Sequence, residues 1–425
     1  HINRAFIHRV LSLVDGKPIT IGEAHRLAQN DLVSGNGPTS GSDVKVNHLH
    51  YSLLGDPALA LNLPMHQIVV DSINGIPVAG AATLPMLKAG SIARMAGHIE
   101  GADDFRGVIT ATVRDSKETI TCRLNDTGKD GAEKAFEYKD RTKTLYQGTD
   151  SVRGGKFAFS FAVPLDINYS NQSGLVNLYA VNTAKTLSAH GSSEQFTVGE
   201  SEEMKNDSIG PSIYCYLNSP SFADGGKVNT TPFFVAKITD KDGINAAGSG
   251  IGHDLQLVID GDMSKTYLLN SNFTYDFGTY TSGSTYYSIP QLEPGSHELT
   301  FRAWDIQNNS STVKLRFNVV KGLSPALFDV GVTANPAKTS TTFIISHDRT
   351  ESDMDVVVEV FDSSGRQHWR HSESGVPASG SYTVSWDLTS DSGTPLGTGV
   401  YLYRVKVASD GSSYTSKVKK LIIIK

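Results

Sequence analysis

Cysteine is almost absent: Cys122 and Cys215 are the only two in 425 residues. One disulfide is the most they can make, and because each falls in a different expected domain, neither is expected to pair. Stability therefore has to come from buried apolar surface, as it does in reducing compartments and in large bacterial surface proteins that do without disulfides. Long apolar runs are missing too. Nothing approaches the roughly 18 consecutive apolar residues of a spanning helix, and the run Leu421, Ile422, Ile423, Ile424 is far too short and flanked by lysines. Basic charge is not in surplus, with 38 Lys and Arg against 44 Asp and Glu and a net charge of −6. No nucleic acid is expected as a partner, because its phosphates are met by a basic face. The N-terminus lacks the charged, then apolar, then small-residue order of a signal peptide. It starts inside a helical pattern, as expected of a segment of a longer chain. The G-x-S-x-G elbow, the Walker loop and the dinucleotide fingerprint are missing as well. Gly248-Ser249-Gly250-Ile251-Gly252 contains G-x-G, but a strand pattern over 254–259 follows where a phosphate cradle needs a helix.

What is present is glycine, 40 residues of it, and a change of side-chain period. The first 35 residues are helical in pattern: Phe6, Ile7, Val10, Leu11 and Val14 recur at helical spacing, with Asn3 as cap. Gly16-Lys17-Pro18 breaks the pattern, and Thr20 with Glu23 forms a capping box opening a second helix over 21–32. A glycine- and serine-rich loop over 34–42 leads to a strand-like run over 49–63, interrupted by Gly55-Asp56-Pro57. Two helices and a strand predict the end of an α/β domain, too short to hold a core alone. From Met65 onward the period is 2. Phe157, Phe159, Phe161 and Val163 alternate with small or polar partners, as do Val313, Leu315, Phe317 and Val319, and Tyr382, Val384 and Trp386. Alternation with frequent turn signals predicts antiparallel sandwiches. Three are expected, over 65–200, 209–322 and 326–425, with a polar linker over 199–208 and a hinge at Gly322-Leu323-Ser324-Pro325. The fold class is mostly β, a short α/β remnant followed by three immunoglobulin-like antiparallel β-sandwich domains.

No residue is assigned a catalytic, cofactor-binding or metal-binding role. A reactive cysteine needs a histidine neighbour or a helix N-terminus, but Cys122 sits in a strand pattern over 119–124 and Cys215 in Ile213-Tyr214-Cys215-Tyr216-Leu217. Both are expected to be buried structural residues. His48 and His50 form H-x-H, yet zinc needs three or four ligands and no second pair stands nearby. His8 and His25 are expected to pack or lie on the helix surfaces. Asp240-Lys241-Asp242-Gly243-Ile244-Asn245 looks like the start of a calcium loop, but Ile251 stands where the twelfth-position Glu belongs, so an ordinary Asp-Gly turn is expected.

Asn47-His48-Leu49-His50-Tyr51-Ser52-Leu53-Leu54-Gly55-Asp56-Pro57-Ala58-Leu59 resembles the signature closing the catalytic domain of gingipain-type cysteine peptidases. The resemblance implies that residues 1–64 are the end of a caspase-like catalytic domain. The catalytic His and Cys of that family precede this region, so no catalytic residue is carried over. Phe222-Ala223-Asp224-Gly225-Gly226-Lys227-Val228-Asn229, Asp242-Gly243-Ile244-Asn245 through His253-Asp254, and Ala303-Trp304-Asp305 with Asn308-Asn309 resemble the middle sandwich of the family's type IX secretion sortases. Ala334-Asn335-Pro336, Val360-Phe361-Asp362-Ser363-Ser364-Gly365-Arg366, Trp386-Asp387 and Gly399-Val400-Tyr401-Leu402-Tyr403-Arg404-Val405 resemble the FlgD-like terminal domain of type IX cargo. What this implies is a sortase segment on the outer-membrane surface, held peripherally by the β-barrel PorV among other attachment-complex subunits. Such sortases cleave cargo C-terminal signal domains and join cargo to anionic lipopolysaccharide, through a thioester on a Cys thiolate attacked by an amine or water. This segment is expected to be inactive alone and to dock the parent enzyme. Its Leu421 to Ile424 tail is either a contact for the barrel or simply the last strand. An adhesin of tandem immunoglobulin-like modules and a secreted gingipain-like protease are the alternatives.

Overall fold

A computed structural model describes residues 2–33, 51–123, 134–203, 207–248 and 252–424. Helix α1, Ile2–Val10, and helix α2, Ile21–Val33, form as their periodicity requires. A bidentate ion pair from Arg9 to Asp31, at 2.8 and 2.7 Å, ties them together. Helix α1 stops short of Leu11 and Val14, which were expected on its apolar stripe. Asp15 and Gly16, both at positive φ, turn a small hairpin that pairs Leu13–Val14 with Lys17–Pro18, the Asp-Gly geometry of a tight hairpin. Half of the expected capping box forms. The Glu23 N–H donates to Thr20 Oγ1 at 3.2 Å, while the Glu23 carboxylate turns to Arg26.

The strand expected over 49–63 is corrected by the structure, which describes this run from Tyr51 onward. A strand needs a neighbour to take its ladder, and among the described residues this run meets α2 and makes one isolated bridge, Ala60 to Thr20. Ile21 N–H donates to the Leu59 carbonyl at 2.7 Å and Gly22 N–H to the Pro57 carbonyl at 3.0 Å. Leu54 is left 94% exposed.

The rest is β, as the period-2 pattern predicts. In the first block the strands His66–Ile73, Ile92–Ile99, Lys156–Ala162, Thr144–Arg153, Gly107–Arg114, Leu175–Asn182 and Ser188–Ser193 lie side by side in that order. The last pairs back, in parallel, onto the first through Ala189↔His66 and His190↔Gln67. The expected open sandwich is therefore a closed ring. Closure rests on two-residue rungs at two places, here and at Val152↔Phe157 with Arg153↔Lys156, and sequence alternation is the same for a closed and an open sheet.

The second block is a two-sheet sandwich. One sheet holds Ser212–Leu217, Phe233–Thr239, Ser282–Ser288 and Thr274–Tyr275; the other is centred on Gly295–Trp304 and Ser310–Val319. The third packs the sheet of Leu327–Val332, Thr341–His347 and Ser381–Trp386 against one centred on Met354–Asp362 and Gly399–Ser409. The C-terminal run Lys419–Ile423 pairs with Gly399–Ser409 and buries Leu421 and Ile423 completely. The tail is the last strand of the third block, with Ile422 and Ile424 half-buried.

The buried side chains form two clusters, not three. One runs without a break from Ile68 through Phe161 and Phe234 to Val319, while the other, Val330 to Ile423, belongs to the third block alone. The first two blocks, expected as separate beads, share one core. Tyr146 of the first stacks on Phe161 at 5.1 Å and reaches Tyr275 of the second at 5.2 Å.

Candidate functional site

The Gly55-Asp56-Pro57 turn seats on the start of α2. Asp56 Oδ1 accepts the Ala58 N–H at 2.9 Å, closing the turn, and Pro57 lies on Gly22. A Cβ at Gly22 would stand 2.6 Å from Pro57 Cβ and 2.9 Å from its carbonyl oxygen. Glycine is needed there for close approach. Gly22→Ala is expected to cost about 1–3 kcal/mol and to free the 51–63 run. Limited proteolysis reads this: cleavage after Tyr51 or Leu54 no faster than in the native chain would refute the clamp.

The cysteines part company. Cys215 is buried in Ser212–Leu217, and burial pushes its thiol up to about 11, so it stays protonated at neutral pH. Cys122, expected to be buried, is exposed. It lies one residue beyond Glu118–Thr121, where its N–H donates to the Phe136 carbonyl at 2.9 Å. That hairpin forms a sheet separate from the ring, and among the described residues no second layer covers the thiol. His48 and His50 lie outside the described residues, as do residues 249–251 of the glycine-rich loop. His8 is exposed, and His25 packs edge-on against Phe6. Asp240 makes the expected turn, its Oδ1 accepting the N–H groups of Asp242 at 2.8 Å and Gly243 at 3.2 Å. Burial raises the pKa of its carboxyl, and that of Asp305. Among the described residues no group of three or more His, Cys, Asp or Glu is placed to hold a metal ion.

What the fold does assemble is a set of inter-block clamps that no motif announced. Asp166, in a loop of the first block, takes bonds from three residues of the second. Its Oδ2 accepts from Asn245 Nδ2 at 2.9 Å and lies 2.8 Å from His253 Nδ1, and its Oδ1 accepts from Asn308 Nδ2 at 3.3 Å. Leu165 N–H to the Ile306 carbonyl and Gly278 N–H to the Thr149 carbonyl run alongside. Hydrogen bonds to a charged acceptor are among the stronger ones, and here they reinforce the shared core. The second and third blocks meet through polar groups instead. Asp410 Oδ2 accepts from Gly322 N–H at 3.2 Å and from Thr230 Oγ1 at 3.5 Å; Arg349, fully buried, gives Nη2 to the Leu323 carbonyl at 2.7 Å and pairs with Asp348. Between these blocks lies a crevice lined by Tyr216, Phe233, Tyr286, Phe328 and His347.

His347 makes the third block sensitive to acid. Its Nδ1 accepts the Arg349 N–H at 3.0 Å, so the neutral ring carries its proton on Nε2. Burial, with the nearby Arg349 charge second, pushes its pKa from 6.5 down to about 4. The neutral form is the one the fold keeps, so its stabilisation is whole above pH 6.5 and is lost as pH falls through 4. The loss amounts to about 3 kcal/mol. Melting of the third block is expected to fall over that window, and less so in His347→Asn, which keeps an acceptor near the Nδ1 position. Equal pH dependence in the two proteins would refute this.

No known protein family matches the chain and no curated protein does. Among solved structures, a tetra-tandem repeat in the extending region of a large adhesion protein is 13% identical, covering 84% of this chain and 74% of that one, with a TM-score of 0.19. That overlap is too slight to carry fold or function. Dimeric latent PorU from Porphyromonas gingivalis is 34% identical over 98% of this chain, with a TM-score of 0.42. The chain spans 39% of that protein, and its similarity to PorU extends over nearly the whole of its own length.

Proposed function

We propose that this chain is the scaffolding and docking segment of a PorU-like type IX secretion sortase. The parent enzyme is a cysteine peptidase and transpeptidase that cleaves cargo C-terminal signal domains and attaches cargo to anionic lipopolysaccharide. It works at the outer-membrane surface, held there by the barrel PorV and other attachment-complex subunits. The observation that carries this reading is 34% identity to PorU over 98% of the chain. The seat of Gly55-Asp56-Pro57 on α2 supports it, since that turn closes the catalytic domain in the family the sequence resembles. A string of adhesive modules has no use for such a seat. In this role the shared core of the first two blocks presents the catalytic domain, and the third block, with a core of its own, docks.

Deleting residues 326–425 from the parent protein is expected to release it from the outer-membrane fraction while leaving the rest folded. Retained membrane association would overturn docking through the third block. Mass spectrometry of the cell-surface protein separates this role from that of a secreted protease: a mature form lacking 326–425 would mark the block as a removable export signal.

A further inference from the structure

The crevice between the second and third blocks has a volume of about 550 Å³, within the range of small-molecule sites. Its floor belongs to the sheet of Ser212–Leu217, Phe233–Thr239 and Ser282–Ser288, where Tyr216, Val235 and Tyr286 stand abreast in register. Phe233 stacks on Tyr286 at 5.8 Å, and Tyr286 remains 49% exposed. From the third block comes Phe328, 52% exposed. The register of its strand shifts between Leu327 and Asp329, which makes Phe328 the extra residue of a bulge, a device that re-aims a side chain. Aromatic rings thus line the crevice from two blocks whose apolar cores are separate.

The third block also leaves a buried polar group unspent there. His347 is 1% exposed and lines the crevice. Its Nδ1 is taken by the Arg349 N–H, so Nε2 carries the proton, and Nε2 has no hydrogen-bond partner among the described residues. A buried donor without an acceptor is costly, and a ligand that brings an acceptor relieves it. Glu351 is the one acidic or basic residue besides His347 on the lining, and its carboxylate makes no ion pair among the described residues.

We propose that this crevice binds an uncharged glycan. A pyranose ring has a face of C–H bonds that lies on an aromatic ring and a rim of hydroxyls that both donate and accept. The rings of Tyr216, Phe233, Tyr286 and Phe328 meet the face. The His347 Nε2–H meets a sugar oxygen, and the Glu351 carboxylate takes a sugar hydroxyl. Charge selects this class. An ammonium group has no acceptor for His347, and an anionic sugar is repelled by Glu351. The floor does not suit an extended peptide either, because Val235 lies in the middle strand, whose backbone is spent on both neighbours. The site does not depend on the proposed function, and its neutral ligand sets it apart from the anionic lipopolysaccharide of that reading.

Isothermal titration calorimetry of the 425-residue chain tests it, with maltohexaose, cellohexaose and mannohexaose as neutral probes. Trigalacturonic acid serves as the anionic probe and a proline-rich decapeptide as the peptide. At least one neutral oligosaccharide is expected to bind, and more tightly than either of the other two. Tyr286→Ala and Phe328→Ala, exposed positions on the two walls, should each weaken it about tenfold. Tyr179→Ala, an exposed tyrosine of the first block, should leave it unchanged. His347→Asn keeps an acceptor for Arg349 and removes the Nε2 donor, and it should weaken binding too; the two exposed positions decide the matter if that variant folds poorly. No binding of any of the three neutral probes, binding undiminished in both Tyr286→Ala and Phe328→Ala, or tighter binding of trigalacturonic acid or the peptide would each overturn the proposal.

Discussion

Phe343→Ala is expected to cost about 3–5 kcal/mol and to lower the melting of the third block alone. Phe343 is fully buried at the centre of that block's core, where its ring meets Trp369 at 5.9 Å, Trp386 at 6.1 Å and Tyr403 at 5.3 Å. Truncating it leaves a cavity among three aromatic rings that cannot easily collapse inward. The loss is a large share of the ~5–15 kcal/mol that holds a domain folded. It should stay local because the apolar cluster of the third block is separate, and its contacts to the second block are polar ones around Asp410, Arg349 and Ser352. Hydrogen exchange read by mass spectrometry locates the effect. Protection should fall throughout 327–423 and hold elsewhere. Equal loss of protection in the first block would show the three blocks to be one cooperative unit.

Phe161→Ala should have a similar cost, about 3–5 kcal/mol, with the opposite spatial result. Phe161 is fully buried under Tyr146, and Tyr146 in turn packs on Tyr275 of the second block. Loss of the ring lets Tyr146 drop inward and away from Tyr275. Because one apolar cluster runs through both blocks, protection should fall together in the first and second, and the third should keep its own transition. A melt in which the first block unfolds while Phe234, Phe301 and their neighbours stay protected would mean that the shared cluster is contact without cooperativity.

Much of the secondary structure was legible because it is local. The helices followed from apolar spacing and a Thr20 cap, and the strands through Phe157 to Phe161, Val313 to Val319 and Tyr382 to Trp386 from their alternation. The turn at Asp240 was read correctly from its Asp-Gly chemistry. The errors have one origin. The strand expected over 49–63, the early end of α1 and the exposure of Cys122 all depend on what lies beside a segment, and apolar content does not report that.

The sequence by itself determined the class of the molecule, its β pattern and the family it resembles, since period, turn residues and motifs are written along the chain. Only the tertiary structure decided that the first block closes into a ring, that the first two blocks share a core, and that Leu421 and Ile423 are spent inside the third. It alone brought Asp166 to Asn245, His253 and Asn308. Each of these joins residues far apart in the chain, whose meeting is fixed by which sheet edges find partners and not by the character of any one segment.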